Sequence, residues 1–113
     1  MLYEIRNYHF DPDQFTAYKK WAREQALPYI DKTLELVGFW ATTEEDSEVT
    51  GVEMDQLGSA NITWILKWPD KATRDADFAK AFGSDEWRKI FDQVPGGLQS
   101  YRRMEAKFTE SLI

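Results

Sequence analysis

The chain has 113 residues and no cysteine, which excludes disulfides, thiolate catalysis, zinc–thiolate sites and iron–sulfur clusters together. Its 20 acidic and 14 basic residues give a formal net charge of −6, and its densest basic groups, Lys19–Lys20 and Arg102–Arg103, are pairs rather than patches. No nucleic-acid partner is expected of such a chain. Five Trp, five Tyr and seven Phe supply material for a core, a small-molecule pocket or an interface. The length suits one domain over residues 1–113, able to bury roughly two-thirds of its unfolded surface. No apolar run is long enough to span a bilayer. Met1 is followed at once by strand-like sequence, without a basic or apolar leader, so no secretory signal and a cytoplasmic location are expected.

Residues 2–10 alternate as a strand. Tyr3, Ile5, Asn7 and His9 share one face, and Leu2, Glu4, Arg6, Tyr8 and Phe10 share the other. Neither face is purely apolar, which predicts that both are covered, one of them by something partly polar. Asp11-Pro12-Asp13-Gln14 predicts a helix start, with Asp11 as cap and Pro12 in the first turn. Phe15, Tyr18, Trp21, Ala22 and Ala26 follow at helical spacing, and Pro28 predicts an end or a kink before a further turn or two over residues 29–34. Residues 36–43 read as the second strand. Residues 44–59 are polar and acidic, and a stretch of that length predicts that residues 48–54 extend a hairpin.

Residues 60–68 are the third strand, with Ile62, Trp64, Leu66 and Trp68 on one face. Asp70 caps the next helix, whose predicted apolar stripe is Ala72, Ala76, Ala79 and Phe82. Gly83 breaks it and Ser84 recaps a last helix, with Trp87, Ile90, Phe91 and Val94 on its inner face. Pro95-Gly96-Gly97 turns the chain into a fourth strand over residues 98–108, with Tyr101, Arg103, Glu105 and Lys107 opposite Arg102, Met104, Ala106 and Phe108. The order βαββαβ predicts an α+β, ferredoxin-like fold, a four-stranded antiparallel sheet with its helices on one face. The other face, semi-polar with aromatics, suits packing against a second sheet.

Tyr3-Glu4-Ile5-Arg6-Asn7-Tyr8 is similar to the opening strand of NIPSNAP-family domains. Trp21 with Leu27-Pro28, Leu36-Val37-Gly38-Phe39-Trp40 and Ser84-Asp85-Glu86-Trp87 follow in the family's order. The resemblance covers almost the whole chain, and the long acidic stretch 44–59 departs from it. It implies a dimeric α+β barrel, a homodimer through the sheet face with the helices outside. Relatives on that fold include cofactor-free monooxygenases, haem-degrading enzymes and muconolactone isomerase-like proteins. In the haem-degrading relatives an asparagine near the place of Asn7 faces the substrate. Those enzymes also need a histidine on the later helix, which here falls near Phe91 and has none, so haem chemistry is a poor fit.

His9, the only histidine, serves either as a general acid or base at a pocket mouth or as a strand-end histidine bonded to backbone or water. No acid is fixed beside it in sequence, which favours the second. Asn7 shares its face. Trp87, Phe91 and Trp64 read as core, whereas Trp40 and Trp68 lie near strand ends, where they suit a pocket rim. Arg6, Arg102 and Arg103 serve either structural ion pairs with Glu4 or Glu105, or a substrate carboxylate. The acidic stretch lacks the spacing of a calcium loop, and no metal site is expected. The function expected is a small-molecule pocket in each protomer, for a small apolar or aromatic ligand. Asn7 and His9 would be its chemical groups, and Tyr8, Trp40, Trp68 and Arg6 its binding groups. Any reaction would be monooxygenase-like or isomerase-like, with no metal or cofactor. The alternative is a non-enzymatic interaction or ligand-binding module.

Overall fold

The computed structural model describes residues 1–52 and 54–113. Four strands, β1 (Leu2–Phe10), β2 (Leu36–Ala41), β3 (Ile62–Trp68) and β4 (Tyr101–Thr109), form one antiparallel sheet in the order β2-β3-β1-β4. The helices α1 (Phe15–Trp21), α2 (Leu27–Thr33), α3 (Lys71–Phe82) and α4 (Asp85–Phe91) connect them. This is the ferredoxin-like α+β arrangement. Its core joins Tyr8, Phe10, Trp64 and Leu66 of the sheet to Tyr18, Trp21, Tyr29 and Ile30 of the helices.

Local signals set most boundaries. Asp11 accepts a hydrogen bond from the Asp13 amide and starts a 3-10 turn, Pro12–Gln14, that leads into α1. Asp70 accepts from the Thr73 amide and Ser84 from the Trp87 amide, so both predicted caps are made. Of the end or kink expected at Pro28, the end does not occur. A π-helical segment, Ala22–Ala26, precedes the proline, and the Leu27 amide donates to the Ala22 carbonyl instead of the α-helical partner. The wider turn gives room to a ring that would otherwise press on the carbonyl four residues back, and α2 continues through Pro28.

Two irregularities re-aim side chains. Between His9 and Phe10 the pairing of β1 with β4 shifts, so Phe10 faces Tyr101 while His9 faces Arg103. Arg102 is the extra residue. Tyr101 therefore joins Met104 on the helix side, and the strict alternation expected for β4 is broken at its start. A similar shift between Leu36 and Gly38 keeps both Leu36 and Phe39 on the helix side of β2. The expected hairpin extension over 48–54 does not form: among the described residues of 44–59 there is no strand, and Glu53 lies outside them. The ladder instead ends on Asn61, whose side chain accepts from the Phe10 amide and donates to the Phe10 carbonyl, both at 2.8 Å. Residues 98–100 form a 3-10 turn before β4, entered through Gly96 and Gly97 at φ +74° and +76°.

α3 differs from its predicted orientation. Ala72, Ala76 and Ala79 are exposed, and the helix turns Arg74, Phe78, Ala81 and Phe82 inward. A buried ion pair outweighs the weak apolar pull of the alanines.

Candidate functional site

The helix-side face of β1 carries a carboxylate where a core would take a leucine. Glu4 is fully buried. Arg74, reaching down from α3, meets it with two parallel bonds, Nε to Oε1 at 2.8 Å and Nη2 to Oε2 at 2.9 Å. Arg6 adds Nη1 to Oε2 at 2.5 Å, and Trp68 donates Nε1 to Oε1 at 3.1 Å. Burial pushes the Glu4 carboxyl up, but the bonds from Arg74 and then Arg6, with their charges, outweigh it and hold it below the ordinary carboxylate range. A forked guanidinium is the group suited to this, since it satisfies a buried carboxylate along both oxygens.

Arg6 then leads into an aromatic cavity. Its Nε donates to the Tyr8 hydroxyl at 2.7 Å, and its guanidinium carbon lies 5.2–5.6 Å from the ring centres of Phe78, Trp64 and Tyr8. The cavity, about 180 Å³, lies between helices and sheet. Arg6 and Tyr8 form its polar end. Trp64, Phe82, Trp87 and Phe91 are among its walls, and Tyr18 and Tyr101 add two more phenols. Trp87 and Phe91 stack with centroids 5.6 Å apart, and Phe91 stacks on Tyr101 at 6.0 Å. Burial is the largest influence on the Tyr8, Tyr18 and Tyr101 hydroxyls and raises all three above the usual phenol value, so they stay protonated and act as donors near neutrality. The small side chain of Ala26, at the end of the π-helical segment, opens space on the helix side.

Of the residues singled out in the sequence, Arg6 and Tyr8 line this cavity and Asn7, His9, Trp40 and Trp68 do not. The pocket expected between helices and sheet therefore does not gather Asn7 and His9 with Tyr8. Strand alternation sends residues 6 and 8 to the helices, and residues 7 and 9 to the open face. There the Thr63 hydroxyl donates to the Asn7 side-chain Oδ1 at 2.7 Å. His9 is buried, and its Nδ1 has no hydrogen-bond partner among the described residues. Its neighbour across the ladder, Arg103, is tied to Asp55 and to the Gly58 carbonyl of the acidic loop. Trp40 is 51% exposed and its indole lies over Gly38, where a Cβ would overlap the ring. Trp68 is closed into the core by its bond to Glu4.

Arg74 and Phe78 escaped the sequence reading. A usable signal was present: an arginine four residues before a phenylalanine on a helix that must cover a strand carrying Glu4. Of the three aromatics expected as core, Trp64 is buried in it, Trp87 and Phe91 pack half-buried against it, and all three wall the cavity.

No family model matches the sequence, and no curated protein does. Solved structures do match. An uncharacterized NIPSNAP domain protein from Burkholderia xenovorans is similar with a TM-score of 0.74 and 19% identity, over 98% of this chain and 94% of that one. A NIPSNAP family protein of unknown function from Agrobacterium tumefaciens gives 0.74 and 21%, over 96% and 86%. An antibiotic biosynthesis monooxygenase gives 0.58 and 13%, over the full length of both chains.

Proposed function

The fold of the chain is that of NIPSNAP domains, and from this premise we propose that the protein binds a small, flat, aromatic molecule in the cavity between helices and sheet, one site in each protomer of a homodimer. The observation that carries the reading is an aromatic-walled space of about 180 Å³ with Arg6 and Tyr8 at one end. A space that would otherwise be a void lowers packing density and costs stability, so its persistence beside a polar end argues for use. The π-helical segment on its wall supports the same reading, since such segments recur at functional sites.

Any chemistry there is of the monooxygenase-like or isomerase-like kind that needs no bound cofactor, in keeping with the fold shared with an antibiotic biosynthesis monooxygenase. Glu4 is tied to two guanidiniums and the phenols are protonated, so the cavity is better suited to steadying a developing oxyanion through Arg6 and Tyr8 than to removing a proton. Asn7 and His9, on the other sheet face, join a site in this reading only if a second copy covers that face.

Titrating one-ring aromatic compounds while following tryptophan fluorescence tests the binding. Saturable quenching is expected, because Trp64 and Trp87 are walls. Ala26→Leu, which fills the space, should abolish it while leaving the circular dichroism intact. An unchanged response in Ala26→Leu would remove this cavity as the site. Oxygen uptake in the presence of a bound compound separates oxygenase-like from isomerase-like turnover. Light scattering tests the dimer: a 13.3 kDa species at micromolar concentration would refute it.

A further inference from the structure

Two arginines and a lysine meet two carboxylates at the polar end of the cavity. Glu4 faces both Arg6 and Arg74, while Arg74 shares Asp75 with Lys71. Three cations thus stand against two carboxylates, and one positive charge is left over. Asp75 and Lys71 are half-exposed and solvent screens them. Arg6 and Arg74 are buried alike, with side chains 15% and 16% exposed, but only Arg74 has a second carboxylate, Asp75. Arg6 has only its share of Glu4, so an anion at its free edge would be met by charge as well as by a hydrogen bond.

The hydrogen bonds agree. Arg6 uses Nη1 on Glu4 and Nε on Tyr8, and Nη2 makes no bond among the described residues. The Tyr8 hydroxyl accepts from Arg6, which leaves its own proton without an acceptor among them. Trp64 Nε1, buried close by, points toward the same hydroxyl without closing a full hydrogen bond among the described residues. The polar end therefore presents Arg6 Nη2 and the Tyr8 hydroxyl proton as donors, with Arg6 and Tyr8 held 2.7 Å apart by their mutual bond. Volume adds the second constraint. A dry cavity of about 150 Å³ accommodates one benzene, so about 180 Å³ suits one ring with a small substituent.

We infer that the ligand is a single ring bearing an anionic oxygen, as a carboxylate, phenolate or enolate, which Arg6 Nη2 and the Tyr8 hydroxyl hold while the aromatic walls enclose the ring. This rests on the cavity being a ligand site. The net charge of the whole protein, −6, repels anions, so a preference for one must arise locally.

4-Nitrophenol tests this directly, because its absorbance reports ionisation while tryptophan quenching reports occupancy. Preferential capture of the phenolate lowers the apparent pKa of the bound probe, by about one unit for each tenfold preference. A shift of about one unit or more is expected, with 4-nitroanisole, its neutral methyl ether, binding at least about tenfold more weakly. Arg6→Lys retains a charge for Glu4 but loses the fork, and Tyr8→Phe loses only the hydroxyl. Each should shrink the shift while the circular dichroism stays that of the parent. A full shift in both variants would overturn the assignment to these groups. Quenching by both probes with no pKa shift would overturn the anionic class and leave the cavity a ligand site. Quenching by neither would overturn the ligand site itself and this inference with it.

Discussion

The two faces of the sheet solve opposite problems with the same strands. On the helix side, β1 contributes Glu4, Arg6, Tyr8 and Phe10, and the first three are joined in one chain of hydrogen bonds under a roof of rings. On the open side it contributes Tyr3, Ile5, Asn7 and His9, next to Ile65 and Lys67 of β3 and the half-exposed Trp40 of β2. The helix side holds a buried charge because arginines come from two different elements. The open side is semi-polar, with no helix of the described residues laid across it. In the first case specificity is internal, set by partners already present. In the second it awaits whatever covers the face.

Removing Glu4 should give the largest effect and break the internal side of this contrast. Glu4→Gln leaves Arg6 and Arg74 facing a neutral group in a buried place, and a loss of about 3–5 kcal/mol is expected in urea denaturation. The same residue governs acid stability. Its folded pKa is depressed below 4.5, so below that value the unfolded chain takes up the proton first. The stabilisation is complete above about 4.5 and disappears as pH falls through the lower folded value. The parent should lose stability over that window, and Glu4→Gln should show a shallower slope. Equal slopes would mean that other carboxylates carry the acid limb.

Paired truncations sharpen the contrast. Phe10→Ala, from a fully buried position among Tyr18 and Tyr101, should cost about 3–5 kcal/mol. Trp40→Ala removes a larger ring from the open face, yet should cost a monomer about 0.5 kcal/mol or less. If a second copy covers that face, Trp40→Ala should instead lower the mass seen by light scattering. Similar losses of monomer stability from both would show that the open face is part of the fold's own core.

The ferredoxin-like sheet was legible from the order of its elements, and the helix caps because each rests on nearby residues: Asp11, Asp70 and Ser84 bond amides two or three positions on. Alternation along β1 was legible too, and it already forbade Tyr8 and His9 from sharing a pocket. Which face the helices would choose was not, because both faces mix polar and aromatic groups. The inward turn of Arg74 was hidden because its reason, Glu4, lies far away in the chain. The π-helical relief before Pro28 and the extra residue at Arg102 were hidden for another reason: each is a local irregularity that propensity averages away.

Gly38 sits where the open face closes on itself. Its φ needs no glycine, but a Cβ there would enter the space of the Trp40 indole. Gly38→Ala should therefore cost no more than the roughly 0.5 kcal/mol expected for losing the ring, by lifting the half-exposed indole off the sheet. Against a Trp40→Ala background the same change should be nearly silent. That non-additivity, read from a double-mutant cycle in urea, separates ring displacement from any backbone effect. Additive losses would place the strain in the β2 bulge instead.

The smallest expected effect concerns the acidic loop. Arg103 holds Asp55 and the Gly58 carbonyl against the open face beside His9. The pair is partly exposed, and exposed pairs contribute little to global stability, so Arg103→Met should leave the urea midpoint almost unchanged. Local order is another matter. The Gly58 amide donates to the Asp55 carbonyl within the turn that Arg103 clasps, and its hydrogen exchange should quicken when the clasp is removed. Faster exchange at an unchanged midpoint would mean that the loop is fastened to the open face by one side chain and can be released without unfolding the sheet. Unchanged exchange would mean that the turn holds itself, leaving Arg103 as a free cation on that face.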